Sequence, residues 1–217
     1  MKERMMAFRD KALWIMAILF FVGSIGHVLD VTRNLMLLLT PIFLLSMGLL
    51  VLLPDMIGRR YILFLWVLVT YLITFALEAV GVATGAVFGD YSYGSTLGPE
   101  LFEVPVVIGF NWVIVIMGSS ELVGRFVRHR LAGALSAGLA AMLFDIALEP
   151  VAMELDYWDW AGGTIPVQNY IAWFVIAAIM AYSYQYFGSR YGKKLLIAYL
   201  FLQTLLFLII RVMVIGG

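Results

Sequence analysis

Three carboxylates stand where this sequence is otherwise apolar. Asp145 and Glu149 lie four residues apart in the segment DIALEP, late in one long apolar run, and Glu78 lies late in another. The i, i+4 spacing puts Asp145 and Glu149 on one face of a helix. A charged side chain at the centre of a bilayer costs about 2.5–3.5 kcal/mol on insertion scales, so paired acids at such positions mark a site. A carboxylic acid in apolar surroundings stays protonated more readily than one in water and can hand its proton to an electron-rich alkene. The tertiary carbocation that results is stabilised by aromatic ring faces. A second carboxylate, or a water held by an asparagine, can then quench it, which amounts to hydration. Asp145 is the deepest of the three and the leading candidate for proton donor. Glu149, one turn nearer the surface, is placed to bind and deprotonate water, and Glu78 to share a proton with Asp145 or orient that water. Interacting acids titrate as a set, so membership of the group is firmer than the division of roles within it.

The elements that must position these acids follow from composition. Of 217 residues, 64% are hydrophobic and 13% charged, a balance that soluble domains do not reach. Apolar runs able to cross a core of about 30 Å occur at about residues 12–29, 33–53, 61–80, 104–123, 131–153, 168–187 and 193–213. The expected fold is therefore all-α: one polytopic domain, residues 1–217, of seven transmembrane helices. Pro54 with Arg59 and Arg60 is expected to close the second helix, and the amino terminus reads as a retained first helix.

Lys2, Arg4, Arg9, Lys11, Arg59, Arg60, Arg125, Arg128, Arg130, Arg190, Lys193 and Lys194 fall at one end of such a bundle, against Arg33 and Arg211 toward the other. The positive-inside rule then makes the amino terminus cytoplasmic and the carboxyl terminus external. The connections 81–103 and 154–167 contain no Lys or Arg and are acidic, so they sit together on the outer side. At about 1.5 Å per residue, Glu78, Asp145 and Glu149 lie roughly 26, 22 and 28 Å above the cytoplasmic helix ends.

Other polar and aromatic residues reach the same level: His27, Asn111, Trp112, Asn169, Tyr170 and Trp173, beneath an aromatic lid of Tyr91, Tyr93, Tyr157, Trp158 and Trp160. These are the candidate substrate-binding residues, and Asn111 and Asn169 could complete the hydrogen bonds of the bound water. Thr74 and Glu78, with Tyr71 one turn earlier, form a polar stripe that can face the bundle interior. Blander roles fit several of them singly. Glu149 could be solvated at the interface, Asn111 could be interhelical glue, His27 could be a core or interfacial histidine, and the lid could be a headgroup belt. Glu121 is expected to pair with Arg125 at i+4. What the separate readings leave unexplained is the coincidence of three acids at one depth under aromatic rings.

No phosphate loop, HExxH, nucleophile elbow or dinucleotide fingerprint is present, and there are no cysteines. Cofactor-free acid chemistry on a long polyene or isoprenoid is the reading that remains, with no metal and no nucleic acid.

The run EAVGVATGAVFGDYSY from Glu78, then Gly98, Val104–Pro105, Gly109, Asn111–Trp112, DIALEP, YWDW, Pro166 and NYIAWF together resemble the membrane-bound carotenoid hydratases. The similarity extends over about residues 60–190 and lies in the ordered set of motifs. It implies addition of water to the terminal isopropylidene double bond of an acyclic carotenoid end group, giving a tertiary alcohol. It also implies a multi-pass protein of a prokaryotic plasma membrane, with membrane lipids, a second copy or other enzymes of carotenoid synthesis as partners. The nearest rival is a membrane lycopene-type cyclase, which begins with the same protonation and quenches the cation internally. A non-catalytic carotenoid-binding or transport protein is the rival from another class. A retinal protein would need a mid-membrane lysine in the last helix, and a UbiA-type prenyltransferase a second aspartate-rich motif. Neither is found here.

Overall fold

The computed structural model describes residues 2–190 and 192–216, with side chains from residue 7 onward. Among them, seven helices are long and apolar enough to cross a membrane: α1 (Lys2–Val28), α2 (Asp30–Ile57), α3 (Tyr61–Thr84), α4 (Val106–Val123), α5 (Arg130–Glu154), α6 (Val167–Phe187) and α7 (Lys193–Ile210). A π-helical turn, Arg211–Ile215, extends α7. The protein is an integral membrane helix bundle.

Pro54 does not close the second helix as expected. α2 passes through both Pro41 and Pro54 and ends at Gly58, and α5 likewise continues through Pro150 for one more turn. In a bundle, neighbouring helices, side chains and local adjustments absorb the backbone groups that a proline frees, so proline ends a transmembrane helix less reliably than one in water.

α4 is the axis of the fold. It packs against α2, α3, α5, α6 and α7, and Val113 through Met117 are fully buried on every side of it. A helix that is apolar all round belongs in the interior. α5 and α6 form the closest pair, because Gly138 lies against the α6 backbone: a Cβ there would come 2.6 Å from the Phe174 carbonyl oxygen. Small residues at helix contacts are the usual means of close approach in membranes.

The α3–α4 and α5–α6 connections are built as a lid. β1 (Tyr91–Tyr93) pairs antiparallel with β4 (Trp158–Trp160) in the register Tyr91↔Trp160, Ser92↔Asp159 and Tyr93↔Trp158. Side chains alternate along a strand, so the four aromatic residues share the inward face while Ser92 and Asp159 point out. A smaller ribbon pairs β2 (Glu100–Leu101) with β3 (Val104–Pro105). Asp156 pins the lid from behind, accepting from Ser95 N at 3.0 Å and Ser95 Oγ at 2.9 Å.

At the opposite end the buried Asp55 holds the α6–α7 connection. It accepts from the backbone N–H groups of Arg190 at 2.9 Å and Gly192 at 3.1 Å, and from the Ser189 hydroxyl. Arg60 donates to the carbonyls of Phe187 and Gly188 at 2.6 and 3.0 Å. Glu121 is paired here with Lys193 at 3.0 Å and accepts from the Tyr184 hydroxyl at 2.9 Å, in place of the expected Arg125. α4 turns that carboxylate toward α6 and α7, so tertiary neighbours outcompete the i+4 partner.

Candidate active site

Asp145, Glu149 and Glu78 meet in one cavity under the β1–β4 ribbon, walled by Phe88, Tyr91, Tyr93, Trp112, Trp158, Trp160, Asn169 and Trp173. Their exposures are 0, 1 and 3%, which rules out an interfacial, solvated Glu149. The open space among them is about 10 Å3, the threshold for holding one water.

Each acid accepts hydrogen bonds from named side chains, and Asp145 and Glu149 share one donor. The Asn169 amide nitrogen, one turn into α6, lies 2.8 Å from Asp145 Oδ2 and 2.7 Å from Glu149 Oε1, bridging the two. Glu149 Oε2 accepts the indole N–H of Trp158 at 3.0 Å and that of Trp160 at 2.7 Å. Glu78 Oε2 accepts the hydroxyls of Tyr91 and Tyr93, the latter at 2.8 Å. Burial first, and then the neighbouring Glu78 carboxyl, push both tyrosine hydroxyls far above their ordinary range, so both remain protonated donors. Asp145 Oδ1 stands apart: it is fully buried and has no hydrogen-bond partner among the described residues.

One wall is an aromatic stack. Trp112 lies face to face with Trp173 at 3.4 Å between centroids, and Phe88 stacks on Trp173 at 5.2 Å. Tyr91 packs against Trp160 at 4.9 Å. The arrangement offers π faces beside an acid, the environment a carbocation needs. Phe88 was not among the site residues read from the sequence, although it stands in the motif run that begins at Glu78. Gly81 makes room for it, since a Cβ there would sit 2.7 Å from the Phe88 ring.

The remaining candidates are distributed differently. His27, Asn111 and Tyr157 border a second cavity of about 180 Å3 between α1, α2, α4 and α7, and Trp158 borders both cavities. Asn111 Oδ1 accepts from the Tyr199 hydroxyl at 2.8 Å and from Gln203 Nε2 at 3.1 Å. Burial pushes the Tyr157 hydroxyl up to about 12. Tyr170 is half-buried on α6 and is not among the residues enclosing either cavity. Sequence reasoning passed over Tyr199 and Gln203. Their signal was available: two polar side chains at i, i+4 in an apolar helix share one face.

The fold and site together describe a membrane-embedded protein with a buried, aromatic-walled acid cluster closed off by a β-ribbon. The chain belongs to the carotenoid biosynthesis protein family, whose model matches residues 32–216. Among curated proteins it is similar to a bisanhydrobacterioruberin hydratase of Haloarcula japonica, at 28% identity over 148 residues. That match takes in 64% of this chain and 50% of the relative, so the chain spans about half the length of the protein it resembles. No solved structure is significantly similar.

Proposed function

We propose that the protein is a carotenoid hydratase that adds water across the terminal isopropylidene double bond of an acyclic end group. The observation that carries this reading is the unequal bonding of Asp145 and Glu149. Three donors occupy the Glu149 oxygens, as suits a carboxylate, while Asp145 Oδ1 has no partner among the described residues and on this reading carries the carboxyl proton. Asp145 gives that proton to the less substituted alkene carbon, and the positive charge forms on the tertiary carbon beside the Trp112–Trp173 stack. Water in the small central space attacks that carbon and releases a proton to Glu149. The alkene and one water become one tertiary alcohol, and transfer of the proton from Glu149 back to Asp145 resets the pair. Glu78, held by Tyr91 and Tyr93, orients the water from the α3 side.

The name of the Haloarcula relative supports the reaction class. N–H and O–H donors occupy Asp145 Oδ2, both Glu149 oxygens and Glu78 Oε2, which suits proton transfer rather than metal binding. On this reading the protein sits in the plasma membrane of a prokaryote with the lid outside. The deciding experiment expresses the gene in cells that accumulate acyclic carotenoids and weighs their pigments. A gain of one water mass is the expected result. Unchanged mass with a shifted spectrum would mean cyclisation, and unaltered pigments a binding or transport protein.

A further inference from the structure

The second cavity has a chemical demand of its own. It is lined almost wholly by apolar side chains, yet two buried polar atoms on its border lack partners among the described residues: His27 Nε2 and Gln203 Oε1. Both are acceptors. His27 Nδ1 lies 2.7 Å from the Gly23 carbonyl oxygen, which can only accept, so Nδ1 carries the hydrogen and Nε2 of the neutral ring is left with a lone pair. Gln203 spends its amide nitrogen on Asn111 Oδ1, leaving its carbonyl oxygen unused. Two of the nearby hydroxyls are committed: Thr40 donates to Met36 O and Tyr199 to Asn111. A buried acceptor without a donor costs about 1–3 kcal/mol, so the chamber is complete only when something brings an O–H or N–H to it.

Volume and access limit what that can be. A dry apolar cavity of about 150 Å3 accommodates benzene, so about 180 Å3 takes a branched end group of five or six carbons. Leu19, Val22 and Leu39, which border the chamber, are also exposed on the outer faces of α1 and α2, where a membrane protein meets lipid. The entrance therefore opens to the bilayer, which delivers lipids.

We infer that the chamber between α1, α2, α4 and α7 binds the hydroxyl-bearing end of an isoprenoid alcohol, with its O–H directed to His27 and Gln203. That the apolar chain is isoprenoid rests on the function proposed above, whereas the requirement for a hydroxyl rests on the two acceptors alone. The alcohol has two sources: the tertiary alcohol made at the acid cluster, or a substrate already hydroxylated at one end. Trp158, bordering the chamber and donating to Glu149, is the wall between the two sites.

The test uses nanodisc-embedded protein, with empty nanodiscs subtracted. The probes are nerolidol, a tertiary isoprenoid alcohol, and its O-methyl ether, which keeps the chain and the oxygen but has no O–H. The alcohol should bind about tenfold more tightly, which corresponds to about 1.4 kcal/mol. His27→Phe and Gln203→Met should bring the two affinities together. Gly23→Ala, whose new methyl meets Leu206 Cδ1 at an ordinary 3.5 Å, should keep the fold while narrowing the chamber and weakening both ligands. Equal binding of alcohol and ether to the unaltered protein overturns the inference and leaves water as the donor. Because this readout involves no turnover, it stands or falls separately from the hydratase reading. Turnover then distinguishes the sources. If the chamber receives a hydroxylated substrate, Gln203→Met raises KM for that substrate and not for the all-hydrocarbon one. If it receives product, Gln203→Met relieves product inhibition and leaves both KM values in place.

Discussion

Trp160 donates its indole N–H to Glu149 at 2.7 Å, joining a residue of the β-ribbon lid to an acid on α5 eleven positions earlier in the chain. The lid is thus part of the acid site, and its donors occupy Glu149 Oε2. Trp160→Phe keeps most of the ring and removes the donor. Hydrogen bonds to charged groups contribute about 1.5–3 kcal/mol, so Trp160→Phe and Trp158→Phe should each lower thermal stability measurably and reduce turnover. The double variant should show coupling in a double-mutant cycle, since both donors share Glu149 Oε2. Strict additivity would mean that the two donors act on Glu149 independently of each other.

Asp145→Asn keeps the side-chain shape, and its amide oxygen can accept from Asn169. It should retain the fold and pigment binding but lose hydration by at least about a hundredfold, the low end of general-acid contributions. In heavy water the unaltered protein should place deuterium on the carbon next to the new alcohol carbon. Near-normal turnover in both Asp145→Asn and Glu78→Gln would remove the acid cluster from the mechanism.

Asp55 satisfies two backbone N–H groups and a hydroxyl in the α6–α7 connection, far from the acids. Asp55→Ala leaves those donors without it at about 1–3 kcal/mol each, so the melting temperature should fall clearly. The fraction that stays folded should keep its catalytic rate per molecule. A lowered kcat with unaltered melting temperature would contradict this structural role.

The hydration reaction should survive exhaustive chelation, because the chemistry proposed for it moves only protons. Activity that is lost to a chelator and restored by a single added cation would refute that account.

Twelve of the fourteen basic residues map to one end of the bundle. A reporter fused after Gly217 should therefore lie outside the cytoplasm and one inserted near Arg128 inside it. The reverse pattern would place the β-ribbon lid and the acid site on the cytoplasmic side.

Much of this was legible in the linear chain because it depends on local periodicity. Seven apolar runs predict seven helices, and the i, i+4 spacing of Asp145 and Glu149 puts both on one face of α5 whatever surrounds them. Rise per residue also sets depth, so the common level of Glu78, Asp145 and Glu149 could be computed by counting. Counting does not set rotation about the helix axis. Asn111 and Trp112 share a depth, but one residue turns a helix by about 100°, and they border different cavities. Only the packing of α4 against its neighbours decided which faced the acids and which joined Tyr199 and Gln203. The lid escaped for another reason. Three residues are too few for period-2 alternation to register, and YSY and WDW become strands only by pairing with each other across 67 positions, Ser92 to Asp159. The donors that distinguish Glu149 from Asp145 come from that pairing and from the α5–α6 contact, so the presence of the acids was determined by sequence and the difference between them by tertiary structure.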